Sequence, residues 1–527
     1  MNFEAFHWSN RKMVFDTSSN APMLVVVLSI LAVGLPLCFG CKPLGSGTSI
    51  NRTREISRVL ERAVAYGAKI EDPMFRADLF LDLAPSYVGM GDTHRAIGIA
   101  DRKDNDRERT LVVISRKQVE LGQIEEALKT AAMIKRTAWK VRALKDIAQE
   151  LVKQQKTKEA LKVVSQAKEA ALSEEGIGYL YVKANDLLKL AGTQWAAQDE
   201  LGTRFTMQQA IEIFEGRPDQ NALGKAFFFS DVAELHARIG DTEGMLATVQ
   251  RIPIDDRNMA FRRASEAQAE SGNARGALNT VTMIEGSWSR DHALYGIARI
   301  QAKTNDIHGA LETTTAITHH MMWKSFALLH IAEAQEARSD REAAILTLAK
   351  AKTFARRIPD ADNRAETFGV IAWIQAKMGD TKGAAESIQT ALQLVDHIEE
   401  SEPRDSALTE IARAQIKAGD IKGALKAAEA MDRSFRQFSV YSQIAKAQAQ
   451  TGDFKGAVQT AQKSHPGEEG LWRAGIFQLV ARIQAQQGQE QEAEEWAADL
   501  GFRSDAAYAF LGIAEGLITQ RKEIDEG

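Results

Sequence analysis

One phrase of fifteen residues returns along the chain in a fixed phase, and that repetition limits the fold more than any other property of the sequence. IARAQIKAGDIKGAL (411–425), IAKAQAQTGDFKGAV (444–458) and IAWIQAKMGDTKGAA (371–385) are close copies; IARIQAKTNDIHGAL (297–311) and ISRKQVELGQIEEAL (114–128) are looser ones. Taking the small residue five positions after the glycine as anchor gives a ladder: Ala96, Ala127, Ala160, Ala197, Met245, Ala277, Ala310, Ala344, Ala384, Ala424, Ala457 and Ala493. Its spacings cluster near 33–34 residues. Such a period means stacked supersecondary units, none able to bury its apolar face alone. At 527 residues the chain is too long for one compact core, and an array is the natural solution.

Each unit reads as helix–turn–helix. Apolar residues three and four apart, such as Leu408, Ile411 and Ala412, put one apolar face on the first helix. Gly419 suits the left-handed C-terminal cap of that helix, and Asp420 suits the N-cap of the next. Ala424, Ala428 and Met431 form the buried stripe of the second helix. Only 10 prolines in the whole chain agree with helix throughout.

The order of large apolar, apolar and small residues, then turn glycine, then alanine is filled by Phe368, Ile371, Ala372, Gly379 and Ala384. Tyr441, Ile444, Ala445, Gly452 and Ala457 fill it again. This resembles the tetratricopeptide repeat family, over roughly residues 70–520. The resemblance implies an all-α, right-handed α-solenoid of about twelve repeats that binds protein or peptide along its concave face. One departure is systematic: where the family has an aromatic late in the first helix, this chain has Gln118, Gln268, Gln301, Gln335, Gln375, Gln415, Gln448 and Gln484, and only Tyr87 keeps the ring. The expected role is a half-buried amide bonded to neighbouring backbone or to the next repeat's glutamine; a polar ladder touching ligand is the alternative. The long spacings 344–384 and 384–424 predict longer helices with loops at 357–363 and 398–405. The gap from 197 to 245 predicts an insertion around 216–224 and a bend at 198–226.

The ends divide into a polar tail (1–22), an apolar run (23–41), a flexible linker (42–50), a capping helix (51–68) before the repeats (69–520), and a charged tail (521–527). Met23 to Gly40 is uncharged and about long enough to span a bilayer. Three readings stay open: an uncleaved signal anchor, a lipoprotein signal cleaved before a lipidated Cys41, and an ordinary signal peptide. Lys and Arg flank the run almost equally, with Arg11 and Lys12 before it and Lys42, Arg52 and Arg54 after. Because the leader resembles a bacterial export signal, the body is expected to be membrane-anchored and exported to the periplasm or envelope.

The chemistry-bearing motifs are sparse. A net charge of −5 and a pI near 6.1 lack the basic excess of a nucleic-acid binder. The only cysteines are Cys38 and Cys41, in the leader, so the body has no thiolate metal set. No phosphate-binding loop, HExxH or GxSxG motif occurs. The doublet His319-His320 is read as a hairpin connection with a partly buried edge. No catalytic residue, cofactor or metal is expected.

Three functional readings follow. The first is a membrane-tethered scaffold holding a protein or peptide partner in its groove. The second is a helical-toroid enzyme on envelope polysaccharide, which a closed ring with paired carboxylates in a deep pocket would favour. The third is a spacer that self-associates through its end repeats. Repeat phase gives the central inner position as Glu234, Glu266, Arg299, Glu333, Trp373, Arg413, Lys446 and Arg482, and a neighbouring one as Arg238, Glu270, Lys303, Lys377, Lys417 and Gln486. The lining turns basic from Trp373 onward. Trp373, Lys377, Arg413, Lys417, Lys446 and Arg482 are therefore the candidate site for an acidic or C-terminal carboxylate segment. The asparagine of the family's carboxylate clamp is missing from the central position.

Overall fold

The computed structural model describes residues 47–102, 106–173, 180–216, 222–432, 434–464 and 470–526. Residues 51–527 form one compact unit. The described residues make twenty-six α-helices and no strand. α1 (Gly47–Gly67) is followed by four hairpins: α2 (Pro73–Met90) with α3 (Thr93–Ala100), α4 (Arg107–Glu120) with α5 (Ile124–Ala132), α6 (Thr137–Lys153) with α7 (Thr157–Ser173), and α8 (Leu180–Ala196) with α9 (Glu200–Glu215). Four more are α10 (Ala222–Arg238) with α11 (Thr242–Gln250), α12 (Arg257–Glu270) with α13 (Ala274–Val281), α14 (Ser287–Lys303) with α15 (Ile307–Thr315), and α16 (Met321–Ala337) with α17 (Arg341–Ala355). The last four are α18 (Ala361–Lys377) with α19 (Thr381–Val395), α20 (Ser401–Lys417) with α21 (Ile421–Glu429), α22 (Phe435–Gln450) with α23 (Phe454–Ser464), and α24 (Leu471–Gln486) with α25 (Glu490–Ala498). α26 (Arg503–Glu526) is a first helix with no second helix after it.

A residue in the left-handed conformation makes the turn of every hairpin, and in five of the twelve it is the glycine of a Gly-Asp pair. Gly419 sits at φ 82°, and the Asp420 carboxylate accepts the Gly423 N–H at 2.9 Å. Asn305 and Ser339 adopt the same left-handed conformation at φ 75° and 64°, at the steric cost that a side chain brings there.

The recurrent glutamine completes this turn. Its Oε1 accepts a hydroxyl from the second helix twelve residues on: Thr130 to Gln118 at 2.8 Å, Thr280 to Gln268, Thr313 to Gln301, Ser387 to Gln375 and Thr460 to Gln448, each at 2.7 Å. Its Nε2 donates to the N-cap aspartate five residues on, as from Gln301 to Asp306 at 3.1 Å and Gln375 to Asp380 at 3.0 Å. The amide thus clasps both helices and the turn of its own hairpin, rather than neighbouring backbone or the next glutamine. A buried bond of this kind contributes about 1 kcal/mol. The glycine three residues after the aspartate is part of the device: a Cβ on Gly423 would collide with the Asp420 carboxylate and the Gln415 amide.

The anchor residues pack where the helix axes approach, with Ala277, Ala310, Ala384, Ala424 and Ala457 fully buried. One rung was misplaced. Ala197 lies before the turn, and the equivalent position is Thr203, four residues after the N-cap Asp199 as Ala310 is after Asp306. The apparent long gap therefore divides between two units with long second helices, α7 of 17 residues and α9 of 16. In the other long units, α17 and α19 have 15 residues each, against 9 in α15 and α21. The expected loops are shorter than read, because α18 starts at Ala361 and α20 at Ser401.

The array closes on itself. Each first helix packs on the next, from α2 through α24 to α26, and α26 packs back on α2. α1 supplies the second helix that α26 lacks. Its Ile56, Val59, Leu60 and Ala63 are fully buried. Tyr66 stacks on Phe510 at 5.4 Å and Arg62 lies 4.0 Å over the same ring. Towards α25, Arg58 and Arg62 share the Glu494 carboxylate at 2.5 and 2.6 Å, and Arg52 meets Glu490 at 3.3 Å. On the other side Arg95 of α3 bonds Ser57 at 2.8 Å. The thirteenth repeat is thus assembled from the two ends of the array.

The localisation read from the leader is corrected. Among the described residues no helix is long and apolar enough to cross a membrane. The apolar faces of these helices are spent on their neighbours, and even the 24-residue α26 carries Asp505, Glu515, Arg521 and Lys522. The apolar run 23–41, with Cys41, lies outside the described residues, as do the tail 1–22 and most of the linker. The described residues therefore do not support the membrane-anchored, exported localisation.

Candidate functional site

Because each first helix has neighbours on both sides and second helices behind, its remaining face forms the inner wall of the ring. Long polar side chains bridge consecutive first helices along this wall. Arg109 reaches Asp78 at 3.2 Å, Arg116 pairs with Asp146, and Arg263 meets Asp231 at 2.5 Å and Glu234 at 2.6 Å. Arg238 reaches Glu270 at 3.0 Å, Tyr295 meets His330 at 3.2 Å and Lys377 meets Glu333 at 3.2 Å. At the closing joint Gln478 donates to Glu515 at 3.0 Å, and Tyr508 donates to Asp82 at 3.2 Å.

These neighbours set the proton affinities. Burial disfavours charge on Glu333, yet bonds from His330 and Lys377 outweigh it and hold the carboxyl below its ordinary range. Glu366 is pushed up by burial and by the nearby charge of Glu410, against the Ser406 bond and Arg436. Asp82 is pushed up to about 7, chiefly by burial, with Glu515 and Asp78 adding to the rise; Tyr508 and Arg109 oppose it.

The six candidate residues do not form one cluster. Trp373 is half-buried, with Lys377 Nζ and Arg413 Cζ each 5.2 Å from its ring centroid. Lys377 is also held by Glu333, and Arg413 by Glu410 at 2.7 Å, a partner three residues earlier on its own helix. Arg482 stands apart near the closing joint, 3.8 Å from Glu515. Exposed Lys417 and half-buried Lys446, on α20 and α22, make no ion pair among the described residues. The wall from α18 onward is thus an interleaving of both signs, with unmatched lysines on α20 and α22.

Two features escaped the sequence reading. On α14 and α16 an aromatic wall joins Trp288, His292, Tyr295, Trp323, Phe326 and His330. Its ring spacings include 4.3 Å from His292 to Trp323 and 5.2 Å from Tyr295 to Trp323. Burial, with Arg262 nearby, drives the His292 pKa down to about 4, so this imidazole is neutral at pH 7. Trp288, His292 and Tyr295 precede Arg299 at helical spacing, so extending the inner phase backwards would have found them. The second feature is a cleft of 710 Å³ between α8 and α10, lined by Asn185, Lys189, Trp195, Asp231, Glu234 and Arg238, among others. Its carboxylates are matched by guanidinium groups: Arg263 takes Asp231 and Glu234, and Arg238 takes Glu234 and Glu270. The His319-His320 doublet lies between α15 and α16, where both backbone N–H groups donate to Asp291 at 2.9 and 2.8 Å. Among the described residues no group of three metal-ligating side chains converges.

The sequence matches no family model, and no curated protein matches it. Solved structures that match include yeast Tom70, at 13% identity over 84% of this chain and 96% of that one, with a TM-score of 0.28. The Cut9–Hcn1 hetero-tetramer of the APC/C is similar at 14% identity over 83% and 96%, TM-score 0.25. The maize pentatricopeptide repeat protein PPR10 is similar at 11% identity over 92% and 88%, TM-score 0.23. The described residues form an all-α array of helix–turn–helix units, and the chain's own hairpins carry that description.

Proposed function

We propose that this protein is a binding scaffold whose inner wall, from α18 to α22, receives an acidic segment of a protein partner. The observation that carries this reading is Trp373 between two cations, with Lys417 on α20 and Lys446 on α22 making no ion pair among the described residues. An apolar ring flanked by charge offers a central anchor with a polar surround, the arrangement in which a few side chains dominate affinity. The unmatched lysines speed encounter and select charge. The toroid-enzyme reading gains support from ring closure, but the carboxylates of the cleft between α8 and α10 are engaged by arginines.

The test compares wild type with Lys417→Glu/Lys446→Glu and with Trp373→Ala, by in-cell crosslinking and by binding of a fluorescent polyglutamate peptide. Both variants should keep their helix content and lose the same crosslinked partner. The charge reversal should weaken the peptide about tenfold or more, in a salt-dependent way. Identical partners and identical peptide affinity across all three proteins would place binding elsewhere.

A further inference from the structure

The cleft between α8 and α10 lies where the inner wall is bare of long side chains. Gln194 clasps its own turn, donating to Asp199 at 2.9 Å as Gln301 does to Asp306, so the repeat phase is fixed at α8. Two residues before that glutamine, the central inner position falls on Gly192, and the neighbouring one falls on Ala196. The next two repeats carry Glu234 and Glu266 at the first of these positions, and Arg238 and Glu270 at the second. Gly192 stands inside α8, where glycine weakens a helix relative to alanine. A Cβ on it would meet nothing within 4 Å. No close contact requires the glycine, so what its missing side chain provides is open space.

That space measures 710 Å³, inside the roughly 300–1,000 Å³ of small-ligand sites. Three cations line it, Lys189, Arg238 and Arg263, and three anions, Asp231, Glu234 and Glu270. The two arginines hold all three carboxylates, and Lys189 acts on Asp231 through its charge. The lining is therefore balanced and fixed in place before a ligand arrives, and a charged ligand would have to disturb that balance. The groups with bonding capacity to spare are neutral. Among the described residues the Gln149 amide and the Trp195 indole N–H make no hydrogen bond, and Asn185 uses one amide proton on the Tyr181 carbonyl at 2.8 Å. A side-chain amide offers a donor and an acceptor together, which is what a hydroxyl group needs. Leu188, Leu235 and the half-buried Trp195 add apolar surface.

We infer that this cleft binds a neutral oligosaccharide, one sugar face lying on Trp195 and the hydroxyls meeting Gln149, Asn185 and the arginine–carboxylate pairs. A pyranose combines an apolar C–H face, a rim of hydroxyls that both donate and accept, and no charge. An extended peptide is the rival occupant. It brings alternating side chains and a row of main-chain groups, which call for a series of pockets or a strand edge. The cleft has one apolar plate and no strand. This site is separate from the acidic-segment site, which lies on α18 to α22.

The experiment is isothermal titration calorimetry of the full chain with cellohexaose, maltohexaose, xylohexaose and N-acetylchitohexaose, beside hexagalacturonate as the charged probe. Wild type runs with Gly192→Arg, Gly192→Ala and Trp195→Ala, all checked for helix content by circular dichroism. At least one neutral sugar should bind wild type with a Kd below about 1 mM. Gly192→Arg, which restores a long side chain to the central position, should abolish that binding. Gly192→Ala should bind nearly as wild type does, and Trp195→Ala about tenfold more weakly. Hexagalacturonate should bind at least about tenfold more weakly than the best neutral sugar. A wild type that binds none of the four neutral sugars overturns the inference. So does binding that survives Gly192→Arg, or that prefers hexagalacturonate. If no sugar binds and Gly192→Arg instead loses a protein crosslinked in cells, the cleft is a peptide site and the inference fails. Should Gly192→Arg not fold, Trp195→Ala decides, and unchanged affinity there overturns the inference.

Discussion

The twelve covalent hairpins and the one joint that closes the ring solve the same packing problem by different means. Inside a hairpin such as α14–α15 the chain itself fixes which helices meet, and small residues suffice: Ala310 at the contact, with Gln301, Asp306 and Thr313 clasping the turn. At the closing joint α1 and α26 arrive from distant parts of the sequence, and no turn sets their register. There the contact is made by long and aromatic groups: two arginines on Glu494, a guanidinium over Phe510, a tyrosine stacked beneath it. Where connectivity supplies the alignment, the side chains fine-tune it; where it does not, they have to encode it.

The largest break expected is at the closing joint. Leu60→Asp buries an unpaired carboxylate and should cost about 4 kcal/mol or more. It should also enlarge the radius of gyration measured by small-angle X-ray scattering, because the ring opens. If size and urea midpoint both stay put, the joint is not what holds the ring. Gly423→Ala strikes a covalent hairpin instead. Forcing the Gln415 amide and the Asp420 carboxylate apart should cost about 2 kcal/mol in urea unfolding while leaving the radius of gyration unchanged.

A smaller effect is pH-dependent. Asp82 is raised to about 7 in the fold, against 3.8 for a free carboxyl, so its protonated form is the one the joint favours. The associated stability is complete below pH about 4 and is lost as pH rises through 7, by roughly 1–2 kcal/mol for a partly solvated group. Asp82→Asn should flatten that slope between pH 5 and 8, and an unchanged slope would remove Asp82 as its source. The smallest effects are gains at two incomplete clasps. Gln415 Oε1 is buried without a partner because Ala427 occupies the hydroxyl position, and Gln118 Nε2 likewise because Gln123 occupies the aspartate position. Ala427→Thr and Gln123→Asp should each stabilise by about 0.5–1 kcal/mol, the second also by adding an N-cap that α5 lacks. Loss of stability in either would mean that the clasp is incidental to the turn.

The hairpins were legible because their determinants are local: a left-handed glycine, a capping aspartate and a small contact residue recur within fifteen positions. The glutamine was visible as a pattern, yet its partners were misread, since the hydroxyl twelve residues on was never set beside it. The rung at Ala197 was misplaced because glycine there had given way to Gln198, which takes the same conformation at φ 61°. Closure left no local trace. Arg52, Arg58 and Arg62 look like a solvated helix face until Glu490 and Glu494 are brought to them, and curvature summed over thirteen joints is not written at any one of them. Of the candidate site, phase alone brought Trp373, Lys377 and Arg413 together, whereas the acids that occupy Arg413 and Arg482 depend on neighbouring turns and on the closing joint.

Ring closure also constrains how such a gene can change. An open array tolerates duplication or loss of one unit as a change in length, because each unit touches only its neighbours. Here each unit turns the path by about 28°, so a fourteenth copy would push α26 past α2 unless every other joint flattened in step. Copy number is therefore locked by geometry, and variation among descendants should be sought in the lengths of second helices such as α7, α9, α17 and α19, which grow outward without disturbing the count.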